Sequence, residues 1–164
     1  VLARQEAAGG PLEQVDLRDV ARLALADVSS SAQARGIDAG LQEDALHGSH
    51  VPGVAEELRL LARNLLDNAI KYTPEGGRVD VSLRREGAGL CLRVEDSGPG
   101  IPEAERELGR FYRSPQSAQQ APGSGLGLAI VQAIAQRHGA QLVLERSERL
   151  GGLCVRVCFP EGLS

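Results

Sequence analysis

The sequence is 164 residues long with 42% apolar side chains, the size and composition of one domain with a buried core. Its net charge of −4 gives no basic excess to cover phosphates, and two Tyr, two Phe and no Trp offer little for base stacking, which speaks against nucleic-acid binding. No stretch approaches the ~18 consecutive apolar residues of a membrane span, and no basic start precedes an apolar run, so the chain reads as soluble.

The chain opens on "VLARQEAAGG", a helix-like fragment broken at Gly9-Gly10-Pro11; it reads as a piece of a longer protein, with residues 1–10 preceding a domain at 11–164. In "VDLRDVARLALADVSSSAQARG", Leu17, Val20, Ala21, Ala24 and Val28 fall on a helical repeat, with Asp16 as N-cap and Gly36 as stop. "IDAGLQEDALHGSHVPG" suggests a strand over 37–41 and then a polar loop. A second helix covers about 54–72, with Leu58, Leu61, Leu65, Leu66 and Ala69 apolar, and ends at "TPEGG", where Pro74 lacks an amide hydrogen. Alternation of Val79, Val81, Leu83 and then Leu90, Leu92, Val94 around "GAG" predicts a hairpin.

A short helix near 102–109 leads into "GRFYRSPQSAQQAPGSG", too polar to form core, which reads as a mobile loop. "LGLAIVQAIAQRHG" is a third helix closed by Gly139, and "AQLVLE" and "GLCVRVCF" are two final strands. Helices interleaved with adjacent antiparallel strands predict an α+β two-layer sandwich. Cys91, Cys154 and Cys158 lie in strand-like stretches without CxxC pairing and read as reduced core thiols, as in a cytosolic protein.

Four local features are candidates for chemistry, and each also has a plain structural reading. Asn64 and Asn68 share a helix face with Lys71 and Tyr72 one turn on; they are either buried amides satisfied by backbone or oxygen ligands for Mg²⁺ and its phosphates. Asp96 opens "DSGPGI", either a turn or an acceptor for an exocyclic amine such as that of adenine, with Gly98 and Gly100 allowing a flat ligand close approach. Gly123, Gly125 and Gly127 open the third helix, whose free amides suit a polyphosphate, although the spacing is neither that of a P-loop nor of a dinucleotide fingerprint. In "RFYR", Phe111 can anchor the polar loop while Arg110 and Arg113 can reach a terminal phosphate.

Taken in order, "NLLDNAIKYTP", "DSGPGIP", "RFYR" and "GSGLGLAIVQAIAQRHGA" resemble the asparagine box, first glycine box, phenylalanine box and second glycine box of the ATP-binding domain of bacterial sensor histidine kinases. That domain belongs to a superfamily shared with gyrase, the ATP-dependent heat-shock chaperone and MutL. The resemblance runs from about Val15 to Phe159, and "LARQEAAG" looks like the end of the second helix of a dimerisation domain. It implies the Bergerat fold: a mixed, mainly antiparallel sheet of about five strands, covered on one face by three helices, with a mobile ATP lid.

It also implies ATP and Mg²⁺ as cofactors. Asn68 would ligate the metal with Asn64 supporting it, Lys71 and Tyr72 would face phosphate and nucleotide, and Asp96 would read the adenine amine. Gly98, Gly100 and Ile101 would shape the base pocket. Residues from about 103 to 124 would form the lid, with Arg110 and Phe111 on the nucleotide and Arg113 on its γ-phosphate; Gly123, Ser124, Gly125, Leu126, Gly127 and Leu128 would cradle phosphates. Asn64, Asn68, Lys71 and Arg113 make up the implied catalytic set.

The sequence departs from the family pattern twice. Gly109 and Arg110 precede Phe111 where apolar residues are usual, and no motif like HE[LI]R[TS]P supplies a phosphoacceptor. His47, His50 and His138 read as surface or helix-end residues. The function implied is transfer of the γ-phosphoryl of ATP to a histidine on a separate dimerisation domain, for relay to a response regulator. The implied setting is the cytosolic part of an inner-membrane-anchored parent, homodimeric at full length and monomeric as this fragment. The alternatives are a gyrase- or chaperone-like ATPase clamp, an anti-sigma serine kinase module and a nucleotide-free interaction domain. The clamp needs a water-activating glutamate where Asn64 stands, and a neutral amide is no general base.

Overall fold

The computed structural model describes residues 12–42, 48–87, 89–99 and 124–160. In chain order its elements are β1 (Glu13–Asp16), α1 (Leu17–Ala34), β2 (Asp38–Gln42), β3 (His50–Gly53), α2 (Ala55–Tyr72), β4 (Arg78–Glu86), β5 (Gly89–Asp96), α3 (Ser124–Arg137), β6 (Gln141–Arg146) and β7 (Leu153–Pro160). Asp16 caps α1 as expected: its Oδ1 accepts the Arg18 amide at 2.9 Å. Gly36 and Gly139 take the left-handed φ values of 66° and 67° that end α1 and α3.

Five strands form one sheet in the order β2-β4-β5-β7-β6; β2 runs parallel to β4 and the other three pairings are antiparallel. Alternate residues of these strands, among them Val79, Val81, Leu83, Leu92, Val94, Leu142, Val155, Val157 and Phe159, join one buried core with Leu58, Leu61, Leu65 and Leu66 of α2 and with the apolar stripes of α1 and α3. The α+β sandwich, its mainly antiparallel five-stranded sheet and the three helices found among the described residues are as expected. No helix among the described residues is long and apolar enough to cross a membrane.

Three findings go beyond or against the sequence reading. First, β1 and β3 pair antiparallel in a small second sheet, with Val15 opposite Val51; segments of four residues, one containing Pro52, show no strand periodicity. Second, Cys91 and Cys158 are not reduced thiols. They face each other across the β5–β7 ladder and are joined in a disulfide, a pairing that depends on which strands become neighbours across a separation of 67 residues. Cys154 stays a free buried thiol, pushed up to about 12 by burial. Third, His138 clamps two helices: its Nδ1 lies 2.8 Å from the Ile134 carbonyl, and its Nε2 accepts the Val54 amide at 3.1 Å, at the head of α2. The expected helical fragment at residues 1–10, the short helix near 102–109 and His47 lie outside the described residues.

The sheet face away from this core carries buried charge. Asp80 and Glu95 stand opposite each other on β4 and β5, 1% and 3% exposed. Arg149, from the β6–β7 connection, reaches Asp80 at 2.6 Å and Glu95 at 3.4 Å; Arg78 joins Asp80 at 3.0 Å, and the Ser147 hydroxyl donates to Glu95 at 2.8 Å. Two like charges opposed in a ladder repel, so the arginines are what allow both to sit there.

Candidate functional site

The second half of α2 places Asn64 and Asn68 half-buried at the margin of its apolar face, with Lys71 and Tyr72 exposed at its end. The Asn64 side-chain nitrogen donates to the Leu60 carbonyl at 3.0 Å, which leaves the amide oxygen as the atom able to face a ligand. The backbone reading of this residue is thus half right.

Thr73 then stops the helix. It is fully buried, its hydroxyl donates to the Ala69 carbonyl at 2.7 Å, and its own carbonyl accepts Arg35 of the α1 end at 2.7 Å. This fixes where the Asn-bearing helix ends relative to the sheet.

Against that end lies the turn after β5. Ser97 ties it to β4, donating its amide to the Arg78 carbonyl and accepting the Arg78 amide on its hydroxyl at 2.9 Å. A Cβ at Gly98 would come within 2.9 Å of the Tyr72 carbonyl oxygen and 3.4 Å of the Thr73 Cα, so the glycine lets the turn lie directly on α2. The two polar features 28 to 34 residues apart in sequence are thereby joined in one wall.

Asp96 ends β5 at the head of that turn, 5% exposed. Its Oδ1 accepts the Gly98 amide at 2.9 Å and the Leu153 amide at 3.1 Å; among the described residues no hydrogen bond falls on Oδ2. Burial raises the Asp96 carboxyl above the usual range, and the Leu153 and Gly98 amides pull it back only in part. The site therefore offers one buried carboxylate with a committed Oδ1 and, among the described residues, no hydrogen bond on Oδ2. Chemically it offers hydrogen-bond acceptors and hard oxygen donors, and Asn64, a neutral amide, supplies no general base.

Of the residues singled out from the sequence, the structure sets the turn that holds Asp96 and Gly98 against the Tyr72 end of α2, the helix that also carries Asn64, Asn68 and Lys71. Ser124, Gly125, Leu126 and Gly127 open α3, and Leu128 is half-buried against the core. Gly100, Ile101, Arg110, Phe111, Arg113 and Gly123 lie outside the described residues. The Leu153 amide is a site group that the sequence reading did not single out. The available signal was the Gly151-Gly152 pair directly before an alternating apolar run.

Residues 53–163 match the family described as histidine kinase-, DNA gyrase B-, and HSP90-like ATPases. The sensor protein QseC of Escherichia coli (strain K12) is 42% identical over 148 residues, covering 89% of this chain and 31% of that protein. Among solved structures, the mycobacterial sensor histidine kinase MprB superposes with a TM-score of 0.72 at 34% identity, covering 90% of this chain and 97% of that one. The ATP-binding domain of PrrB from Mycobacterium tuberculosis gives a TM-score of 0.72 at 29% identity, with 93% and 98% covered. The chain spans less than a third of the length of the curated relatives it matches.

Proposed function

Because the chain belongs to the family of histidine kinase-, DNA gyrase B- and HSP90-like ATPases, we propose that it is the ATP-binding catalytic domain of a sensor histidine kinase. The observation that carries this reading is Asp96: a buried carboxylate whose Oδ1 is held by two backbone amides, beside a helix end bearing two asparagines and a lysine. Oδ2 accepts a hydrogen bond from the exocyclic amine of adenine, which sets the base against the Gly98 turn. Lys71 faces the phosphates as a flexible point charge.

The oxygens of Asn68 and Asn64 are the hard donors that Mg²⁺ takes, and the amide nitrogen of Asn64 is already turned onto Leu60, so the residues fit the ion. When bound, the ion neutralises phosphate charge. Arg113 and the amides at the start of α3 act on the γ-phosphate and its neighbours. In the reaction the bond between the γ-phosphorus and the β,γ-bridging oxygen breaks, a P–N bond to an imidazole forms, and ADP leaves. The imidazole belongs to a dimerisation domain of the parent protein, and a response regulator takes the phosphoryl group next. The parent is a homodimer anchored in the inner membrane, with this domain on the cytosolic side.

Asn64 decides against the ATPase-clamp reading, since phosphoryl transfer to a protein nucleophile needs positioning and charge neutralisation more than a base. Calorimetric titration with ATP, with and without Mg²⁺, tests the proposal on this chain and on Asn68→Ala and Asp96→Ala. The expected result is saturable binding that weakens about tenfold or more in each variant, with no phosphate release. Steady hydrolysis without a histidine acceptor, or unaltered binding in both variants, would refute it.

A further inference from the structure

The adenine-reading carboxylate is not held by its own loop alone; a glycine 56 residues downstream sets its position. Gly152, buried, directly precedes β7 and is in contact with Asp96. A Cβ there would stand 2.2 Å from Asp96 Oδ1, 2.4 Å from the Asp96 carbonyl oxygen and 2.7 Å from the Gly98 amide nitrogen. Two of those three atoms are backbone, so no side-chain rotation relieves the overlap. The next residue, Leu153, donates its amide to the same Oδ1 at 3.1 Å. At this point the β7 backbone is therefore pressed onto the carboxylate, and only a residue without a side chain permits it.

We infer that Gly152 is a positioning residue for base recognition: with the Leu153 amide it pins Asp96 Oδ1, so that Oδ2 alone is presented to an exocyclic amine. This rests on the reading of Asp96 as the adenine contact. Its consequence is specificity for the amine. A carboxylate free to turn can present either oxygen at any angle, whereas one pinned on Oδ1 makes one directed bond and repels a ring carbonyl in the amine's place.

Gly152→Ala disturbs the pin by volume, and Leu153→Pro removes the donor at the first residue of a strand, where proline is tolerated. Gly40→Ala is the control, since a Cβ at Gly40 meets nothing within 4 Å. Binding of ATP and of inosine triphosphate, which carries a carbonyl where adenine has its amine, is measured by calorimetry on the full chain at fixed Mg²⁺. The unaltered chain and Gly40→Ala should prefer ATP about tenfold or more. Gly152→Ala and Leu153→Pro should lose most of their ATP affinity, keep inosine triphosphate within about twofold, and so approach a ratio of one. Equal weakening of both nucleotides, or an unchanged ratio, would overturn the inference and make Gly152 a packing residue only. An unaltered chain that binds both nucleotides equally would instead overturn the reading of Asp96 itself.

Discussion

Replacing Asp96 by asparagine should stabilise the ligand-free domain at neutral pH while damaging its binding of ATP. The side chain is 5% exposed, and asparagine keeps an oxygen for the Gly98 and Leu153 amides at 2.9 and 3.1 Å. Exchanging two bonds to a charged acceptor for two neutral ones loses about 1 kcal/mol each. Against this, the carboxylate no longer has to be stripped of water, a penalty of several kcal/mol for an ion. Burial outweighs the two amides in raising the carboxyl, so the balance favours asparagine. A net gain of about 1 kcal/mol raises the melting temperature of a domain this size by roughly 2–4 °C.

The sign with pH follows from the raised carboxyl. The handicap of the unaltered chain is present once pH exceeds the folded-state value, and it is absent below the ordinary carboxylate range, where Asp96 is protonated in both states. Thermal melts of both chains from about pH 3 to pH 8 should therefore converge at the acid end, and calorimetry should show ATP affinity reduced about tenfold or more in the variant. A variant less stable than the unaltered chain at pH 7, or a gain that persists at low pH, would refute the reasoning.

Two further predictions concern the sheet. Arg149→Ala leaves Asp80 and Glu95 opposed with less compensation; Arg149 is half-exposed and Arg78 and Ser147 remain, so the expected loss in urea denaturation is roughly 2 kcal/mol rather than the full cost of a broken buried pair. Adding Asp80→Asn should recover part of it, and strict additivity of the two changes would argue against coupling. Thiol counting should find no rapidly reacting cysteine in the native chain, one after denaturation without reductant and three after reduction, and opening the 67-residue loop should destabilise the domain by roughly 4 kcal/mol. Three thiols in the unreduced, denatured chain would show the strands pair without the bond.

The layer architecture was legible because its signals are local. Leucine spacing in α2, alternation in β4 and β5, and the glycines at 36 and 139 act within one or two turns of chain. Asn64, Asn68 and Asp96 were legible for a similar reason: each interrupts a pattern that otherwise accounts for its neighbours. Contacts decided by strand order were not legible. Cys91 meets Cys158, and Gly152 meets Asp96, only because β7 lies beside β5, and no spacing in the sequence states that adjacency. The clamp at His138 was hidden likewise, since its partner is a backbone amide 84 residues away.

The sheet order β2-β4-β5-β7-β6 puts the last of these five strands in chain order between two that precede it. Until β7 arrives, β5 and β6 face each other across an open slot, and the carboxylate at the end of β5 lacks the Leu153 amide. A chain stopped near residue 150 would carry both asparagines and the aspartate, yet it would be a split sheet with two unpaired edges. Partial synthesis of this domain should thus yield aggregation-prone product rather than a weakened enzyme. Nucleotide binding should then report, in one signal, that synthesis has passed β7.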